Sequence, residues 1–418
     1  MNNKIKLAVA GAVLSAASVA NAGIVIPAGD WTLDVNGNVN AFAIMTSADD
    51  KKVGTTVTGG YAMYEDASGE DKSYAINTGL LPAWLGFTGT TRQNDLDVSF
   101  TISFQPNVSD TQASGMGDTL TPLNRQAFVT FGDKSWGSVK LGKDLGIFAG
   151  DAILNDMTLL GVGLAGQRSG GVTTLGGIGS GYIYPAWKGQ IAYTTPNMNG
   201  FQATIAITNP DQGQDQGAGT VNGGYHQDRF GIEGKASYSW TGDVAGKVWA
   251  SFATYDRTGA NGTTNANAAV ANYAKDGFTT TAYDIGATVT SGNLGLVAYY
   301  YNAEGAGHSL NLLGNEGVYN NSGVLKKRDG DGGYVQATYV IPTGTKLGVA
   351  YGVNNLDEAS GETGTFLVEK NERWTVGAYH PLTKHLNLVA EYNRAEAEAH
   401  NGNDADSDSL SLGAILFF

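Results

Sequence analysis

The chain has 418 residues, a formal net charge of −14 and no cysteine, which excludes disulfide staples, zinc–thiolate sites, thiol catalysis and c-type haem attachment. An acidic balance of this size makes nucleic acid a poor partner. Sixty glycines against nine prolines argue against a helical bundle, because each interior glycine costs a helix about 1 kcal/mol.

At the N-terminus Lys4 and Lys6 precede an apolar run from Leu7 to Val19, then the small–x–small triplet Ala20-Asn21-Ala22. This is the pattern of a cleaved secretory signal peptide, residues 1–22, leaving a single domain at 23–418. The run is too short for a membrane helix, which needs about 20 apolar residues. Loss of Lys4 and Lys6 leaves 23 basic against 39 acidic residues, a charge of −16. Beyond residue 22 the longest apolar runs, such as Leu296-Val297-Ala298-Tyr299-Tyr300-Tyr301, are strand-sized.

Alternation of apolar and polar residues predicts about sixteen strands: 31–45, 78–91, 95–105, 124–132, 137–143, 186–195, 201–209, 228–240, 246–256, 278–290, 294–303, 332–341, 345–354, 372–381, 385–396 and 407–418. Leu96 to Gln105 is the clearest, with apolar residues at every even position and polar ones at every odd position. Tilted strands of about ten residues cross an apolar band of about 25 Å. Many of the 20 Tyr, 14 Phe and 7 Trp stand at the ends of these alternations, where membrane barrels carry aromatic girdles.

The connections fall into two kinds. Tight turns at Asp133–Trp136, Pro196–Gly200, Ser291–Asn293 and Pro342–Gly344 alternate with long polar segments. Those segments are 46–77, 106–123, 144–185, 210–227, 257–277, 304–331, 355–371 and 397–406. Short turns at one rim and long loops at the other describe an all-β, transmembrane antiparallel β-barrel rather than a soluble sandwich.

Three stretches carry a resemblance. Asn124 to Gly132 followed by Trp136 to Lys143 resembles the hairpin before the third loop of Gram-negative outer-membrane general porins. Ala83-Trp84-Leu85-Gly86-Phe87-Thr88-Gly89 is similar to their second strand, and Ala192 to Phe201 to the hairpin after that loop. The resemblance extends over the whole chain. It implies a homotrimer of sixteen-stranded barrels in the outer membrane, among lipopolysaccharide and outer-membrane lipids. Each barrel would form a water-filled channel for passive diffusion of ions and small hydrophilic solutes, with no catalysis and no cofactor. It implies that the third extracellular loop, here Asp144 to about Tyr184, folds inward, and that Phe418 belongs to the signal read by the assembly machinery. Trp84 stands where related porins often carry an Arg, and Thr91-Arg92-Gln93 where some place acidic residues.

A pore needs shape and fixed charge in a narrow aqueous path. The candidates in the third loop are Asp144, Asp151, Asp156 and Arg168, with Lys188 just beyond. On the wall they are Trp84, Arg92, Arg125, Lys140 and Lys143. Parity turns Lys140 inward. Arg125 shares parity with Ala127, Val129 and Phe131, so it faces outward unless the strand is bulged, and Lys143 has the same difficulty. Three loop carboxylates against one Arg lead to an expected mild cation preference, set mainly by Asp151 and Asp156.

Other readings compete with this one. Asp404-Ala405-Asp406-Ser407-Asp408 and Asp329-Gly330-Asp331-Gly332 have a spacing that suits calcium, but lack the fixed Gly and distal Glu of an EF-hand loop. The plainer expectation is acidic loops against divalent-bridged lipopolysaccharide, with no metal site. Gly161-Val162-Gly163-Leu164-Ala165-Gly166 lacks the strand–loop–helix context of a dinucleotide site. His226, His308, His380, His385 and His400 show no metal spacing and no nucleophile partner. The alternative function is a surface receptor or adhesin whose barrel is plugged.

Overall fold

A strand between lipid and a lumen must show apolar residues to one and polar or packed residues to the other. The computed structural model describes residues 23–48, 57–63, 69–106, 108, 123–165, 173–209, 229–258, 277–309, 315–319, 324–362 and 364–418. A short β1 (Ile24–Ala28) precedes β2 (Trp31–Ala48), β3 (Lys72–Asn77), β4 (Trp84–Gln93), β5 (Leu96–Gln105), β6 (Leu123–Asp133) and β7 (Gly137–Leu145). Helix α1 (Gly150–Asn155) and a 3-10 turn (Met157–Leu160) follow. Next come β8 (Trp187–Thr194), β9 (Phe201–Thr208), β10 (Gly231–Trp240), β11 (Val244–Thr258), β12 (Gly277–Ser291) and β13 (Leu294–Glu304). A small hairpin, β14 (Gly317–Tyr319) with β15 (Leu325–Lys327), stands outside the wall. The circuit finishes with β16 (Asp329–Val340), β17 (Lys346–Leu356), β18 (Val368–Pro381), β19 (Leu386–Ala399) and β20 (Asp404–Phe417).

Every neighbouring pair in the wall is antiparallel. The ring closes where β20 pairs with β2, from Asn38 opposite Phe417 to Ala48 opposite Ser407. Beyond that junction Gly37 and Phe418 exchange backbone hydrogen bonds of 2.8 and 3.0 Å. Both β3 and β4 pair with β2, β3 along its upper half and β4 along its lower half, so together they make one wall strand and the barrel has sixteen. Closure leaves no sheet edge in the wall to face lipid.

The expected strand at 78–91 is therefore broken. Residues 78–83 leave the ladder, and Asn38 and Asn40 donate to the carbonyls of Pro82 and Leu81 at 2.9 Å. Pro82 has no N–H to give a ladder, and the two asparagines replace the missing strand bonds. The N-terminal β1 lay outside the expected strands. It carries Pro27 and lies at an edge, where proline is tolerated.

Alternation sets which side chains meet lipid. Along β13, Leu294, Leu296 and Tyr300 are exposed, while Tyr299 and Tyr301 are buried inside. Exposed aromatics gather near both rims, Trp136, Tyr238 and Tyr339 towards the short turns and Tyr283, Tyr300 and Tyr392 towards the long loops. Tyr392 donates to Asp408 at 2.6 Å and Tyr300 to Asp331 at 3.2 Å, so apolar rings end in a polar contact, as suits an interface. Asp406 and Asp408 sit in β20, not in a loop, and share Arg394 at 3.5 Å each. No metal-ligating group of three or more is found among the described residues.

Candidate functional site: the third loop and the gap beside it

Residues 146–165 and 173–186 lie between β7 and β8 and turn into the barrel. Irregular backbone at membrane depth must find hydrogen-bond partners in the protein or in water, and the inner wall supplies them in sequence. The N–H groups of Ile147 and Phe148 donate to Glu233 on β10 at 2.6 and 3.0 Å. Ala149, in a left-handed conformation at φ 58°, donates to Asp284 on β12 at 3.1 Å. Tyr334 donates to the Ala152 carbonyl at 2.8 Å, and Gln336 accepts from Met157 at 2.7 Å, both from β16. Val162 and Gly163 donate to Glu391 on β19 at 2.9 and 2.8 Å. On the way back Gly181 donates to Asn354 on β17 at 2.8 Å.

The glycine-rich run thus has a structural use. A Cβ on Gly161 would stand 2.0 Å from a Glu391 oxygen, so only glycine lets this backbone approach the carboxylate. The anion cradled by these N–H groups is the chain's own Glu391.

The loop carboxylates are paired. Asp144 accepts from Gln126 at 3.1 Å and from Lys140 on the same strand. Asp151, buried in α1, accepts from Lys235 at 2.7 Å and from Lys247, on β10 and β11. Asp156 is 3% exposed. It accepts from Tyr182 at 2.8 Å and faces the fully buried Arg373 of β18 at 3.4 Å. Lys188 is buried against Glu233 and Tyr255. Arg168 lies outside the described residues.

The wall candidates separate by position. Trp84 faces inward, buried, with its indole N–H on Asn36 at 3.3 Å. Lys140 also faces inward, beside the Phe128 ring. Between Ser103 and Phe104 the β5–β6 register shifts, so Ser103 meets Gln126 and Phe104 meets Asn124. Arg125 is the extra residue of that bulge. Its guanidinium lies 5.8 Å from the centre of the Trp187 ring and lines a cavity inside the barrel. Lys143, by contrast, pairs opposite the exposed Ala127. It alternates with the buried Asp144 and shares the face of Leu141, opposite the exposed Val129, which puts it on the outer face, away from the other candidates. Arg92 is at the short-turn rim, held by Asp97 at 2.7 Å and Asp133 at 3.1 Å.

Lys235, Lys247 and Arg373 escaped the sequence reading. Parity alone could have found the two lysines, since Lys235 alternates with Ala236 and Lys247 with Val248, both turned outward. Nothing local marks them as partners of Asp151.

Opposite the anchored side, the loop leaves a cavity of about 250 Å3 against the wall from β4 to β8. Trp84, Gln105, Arg125, Gln126 and Trp187 border it from the wall and Ile153, Leu154, Leu159 and Tyr184 from the loop.

A sequence profile of Gram-negative porins matches residues 7–400. Among solved structures, the outer-membrane channel DcaP of Acinetobacter baumannii superposes at a TM-score of 0.68 with 14% identity, covering 94% of this chain and 99% of its own. The anion-selective porin from Comamonas acidovorans gives 0.59 at 14% identity, covering 93% and 100%. OmpT of Vibrio cholerae, in a structure described as its trimer form, gives 0.54 at 15% identity, covering 93% and 99%. At such identities these likenesses speak for the fold. No curated protein matches the chain.

Proposed function

This chain belongs to the family of Gram-negative porins, and from that premise we propose that its channel passes anions in preference to cations. The protein is an outer-membrane channel for passive diffusion of ions and small hydrophilic solutes, and members of the family are channels rather than enzymes. One observation carries the preference. Beside the third loop and its gap the charges that reach water are those of Lys140, Lys235 and Lys247, with Arg125 lining the gap, whereas their partners Asp144 and Asp151 are buried and the wall carboxylates Glu233, Asp284 and Glu391 are buried against loop N–H groups. Asp156 is cancelled by Arg373 away from water. The expected cation preference counted loop carboxylates without their partners, and the pairing favours the opposite sign. Charges beyond about 10 Å of the path are screened at physiological salt, so the acidic outer loops weigh little. A planar bilayer in a potassium chloride gradient tests the reading, with a zero-current potential on the chloride side expected. A potential on the potassium side refutes it.

The reading includes a homotrimer among lipopolysaccharide and outer-membrane lipids, exported by a cleaved signal at 1–22, with Phe418 as part of the assembly signal. An SDS-resistant oligomer that collapses on boiling, and a mature N-terminus at Gly23, are the expected results. Deleting Phe418 removes both backbone bonds to Gly37. It should lower the folded yield sharply while export to the periplasm continues.

A further inference from the structure

The gap beside the third loop is lined unlike a path for ions alone. Leu80, Leu81 and Trp84 face Ile153, Leu159 and Ile178 across it, so much of its lining is apolar. At about 250 Å3 it has room for about eight waters at ~30 Å3 each, the scale of a one-ring organic acid.

Two of the polar side chains in the lining lack a matching partner among the described residues. Arg125 has no carboxylate partner among the described residues; its guanidinium rests on the Trp187 ring. Gln105 is 3% exposed, lines the same cavity, and its Oε1 has no hydrogen-bond partner among the described residues. A buried polar atom left unmade costs free energy and needs a reason. Gln105 pairs with Leu123 and its neighbour Phe104 with Asn124, so Gln105 lies within two residues of the bulge that carries Arg125. Elsewhere in the lining Gln126 is engaged with Asp144 and Thr174 with the Val162 carbonyl.

We propose that this gap is a binding site for a small monocarboxylate with an apolar, ring-sized body. The carboxylate is held by Arg125 and by the Gln105 amide, and the body lies against Trp84 and the loop leucines and isoleucines. The Gln105 amide turned by half a revolution presents its NH2 to the anion. Arg125 offers two parallel N–H groups, the fork that matches a carboxylate. A bulge re-aims a single side chain without disturbing the rest of the ladder, which explains how a strand of outward parity delivers a cation here. Such a site concentrates amphipathic acids in the channel, whereas small inorganic anions gain only from the charge. The proposal rests on the reading of the gap as the solute path.

The test uses the full-length purified protein and three probes: phenylacetate, acetate and 2-phenylethylammonium. In planar bilayers, phenylacetate should lower the chloride current saturably, with a half-effect in the millimolar range, while the other two should not saturate. Arg125→Gln should raise the half-effect concentration about tenfold or more, and Gln105→Leu by less. Heat-modifiable mobility verifies that each variant is folded. Equal action of phenylacetate and 2-phenylethylammonium would mean apolar partition alone and overturn the site, as would an unchanged half-effect in Arg125→Gln. Absence of any current, or cation preference, would instead strike the channel reading. Equilibrium dialysis of the detergent-solubilised protein against phenylacetate then decides the site separately: binding weakened by Arg125→Gln supports it, and no binding refutes it.

Discussion

The two flanks of the third loop are built on opposite principles. On the side of β10 to β19, wall carboxylates and amides take up loop N–H groups at Glu233, Asp284, Gln336 and Glu391, each bond 3.1 Å or shorter. On the side of β4 to β8 the loop meets Trp84, Arg125 and Trp187 across a cavity and makes few such bonds. A charge-assisted hydrogen bond is about twice as strong as a neutral one. A ring of them therefore pins the loop to one wall and leaves the other for solutes. The difference teaches that a buried charge can serve position alone, while only charges beside the gap can act on what passes.

The anchored flank should break most visibly. Glu233→Ala strands the Ile147 and Phe148 N–H groups and leaves Lys188 buried without its carboxylate. Removing one partner of a buried pair costs about 3–5 kcal/mol. Urea unfolding of the protein in detergent should show that loss, and single channels should become larger and noisier as the start of the loop detaches. Stability and conductance both unchanged would mean the loop is held elsewhere.

Asp151 and Asp156 separate the two roles. Asp156→Asn leaves Arg373 fully buried beside a neutral partner and should cost about 2 kcal/mol or more, with the zero-current potential unmoved. Asp151→Asn frees Lys235 and Lys247 and should move that potential further towards anions, with a stability change below about 1 kcal/mol. Matching shifts in potential from both variants would place Asp156 in the water path.

On the open flank, Trp84→Ala enlarges the gap without touching an anchor. Conductance should rise, by less than about twofold, because the loop stays anchored to Glu233, Asp284, Gln336 and Glu391. A fall would mean the loop had collapsed into the space.

A smaller effect belongs to the loop above. His308 packs edge-on to Tyr61 with ring centres 5.4 Å apart. Burial, helped by the charge of Arg328, lowers its pKa to about 4. An unfolded ring titrates near 6.5, so between these values the folded chain binds fewer protons. This packing is therefore at full strength above about pH 6.5 and weakens as pH falls towards 4. The His308 ring signal in nuclear magnetic resonance should titrate near 4, and a midpoint near 6.5 would mean the ring is open to water.

Much of this architecture is legible in the chain itself. Alternation is a local property of two residues, so strands such as 96–105, 201–208 and 294–304 could be read one by one. The contrast of tight turns with long loops followed, while the entry of the longest connection into the barrel was implied by the porin resemblance. The inward face of Lys140 was readable for the same reason. Long-range structure decided the rest. Asp151 meets Lys235 and Lys247 across 84 and 96 residues of chain, and Asp156 meets Arg373 across 217. Only closure of the ring brings those groups together, and they pair the carboxylates that the loop carries alone. Arg125 turned inward because of a one-residue register shift between two strands. A bulge of that kind is a property of the pair, and neither strand contains it by itself.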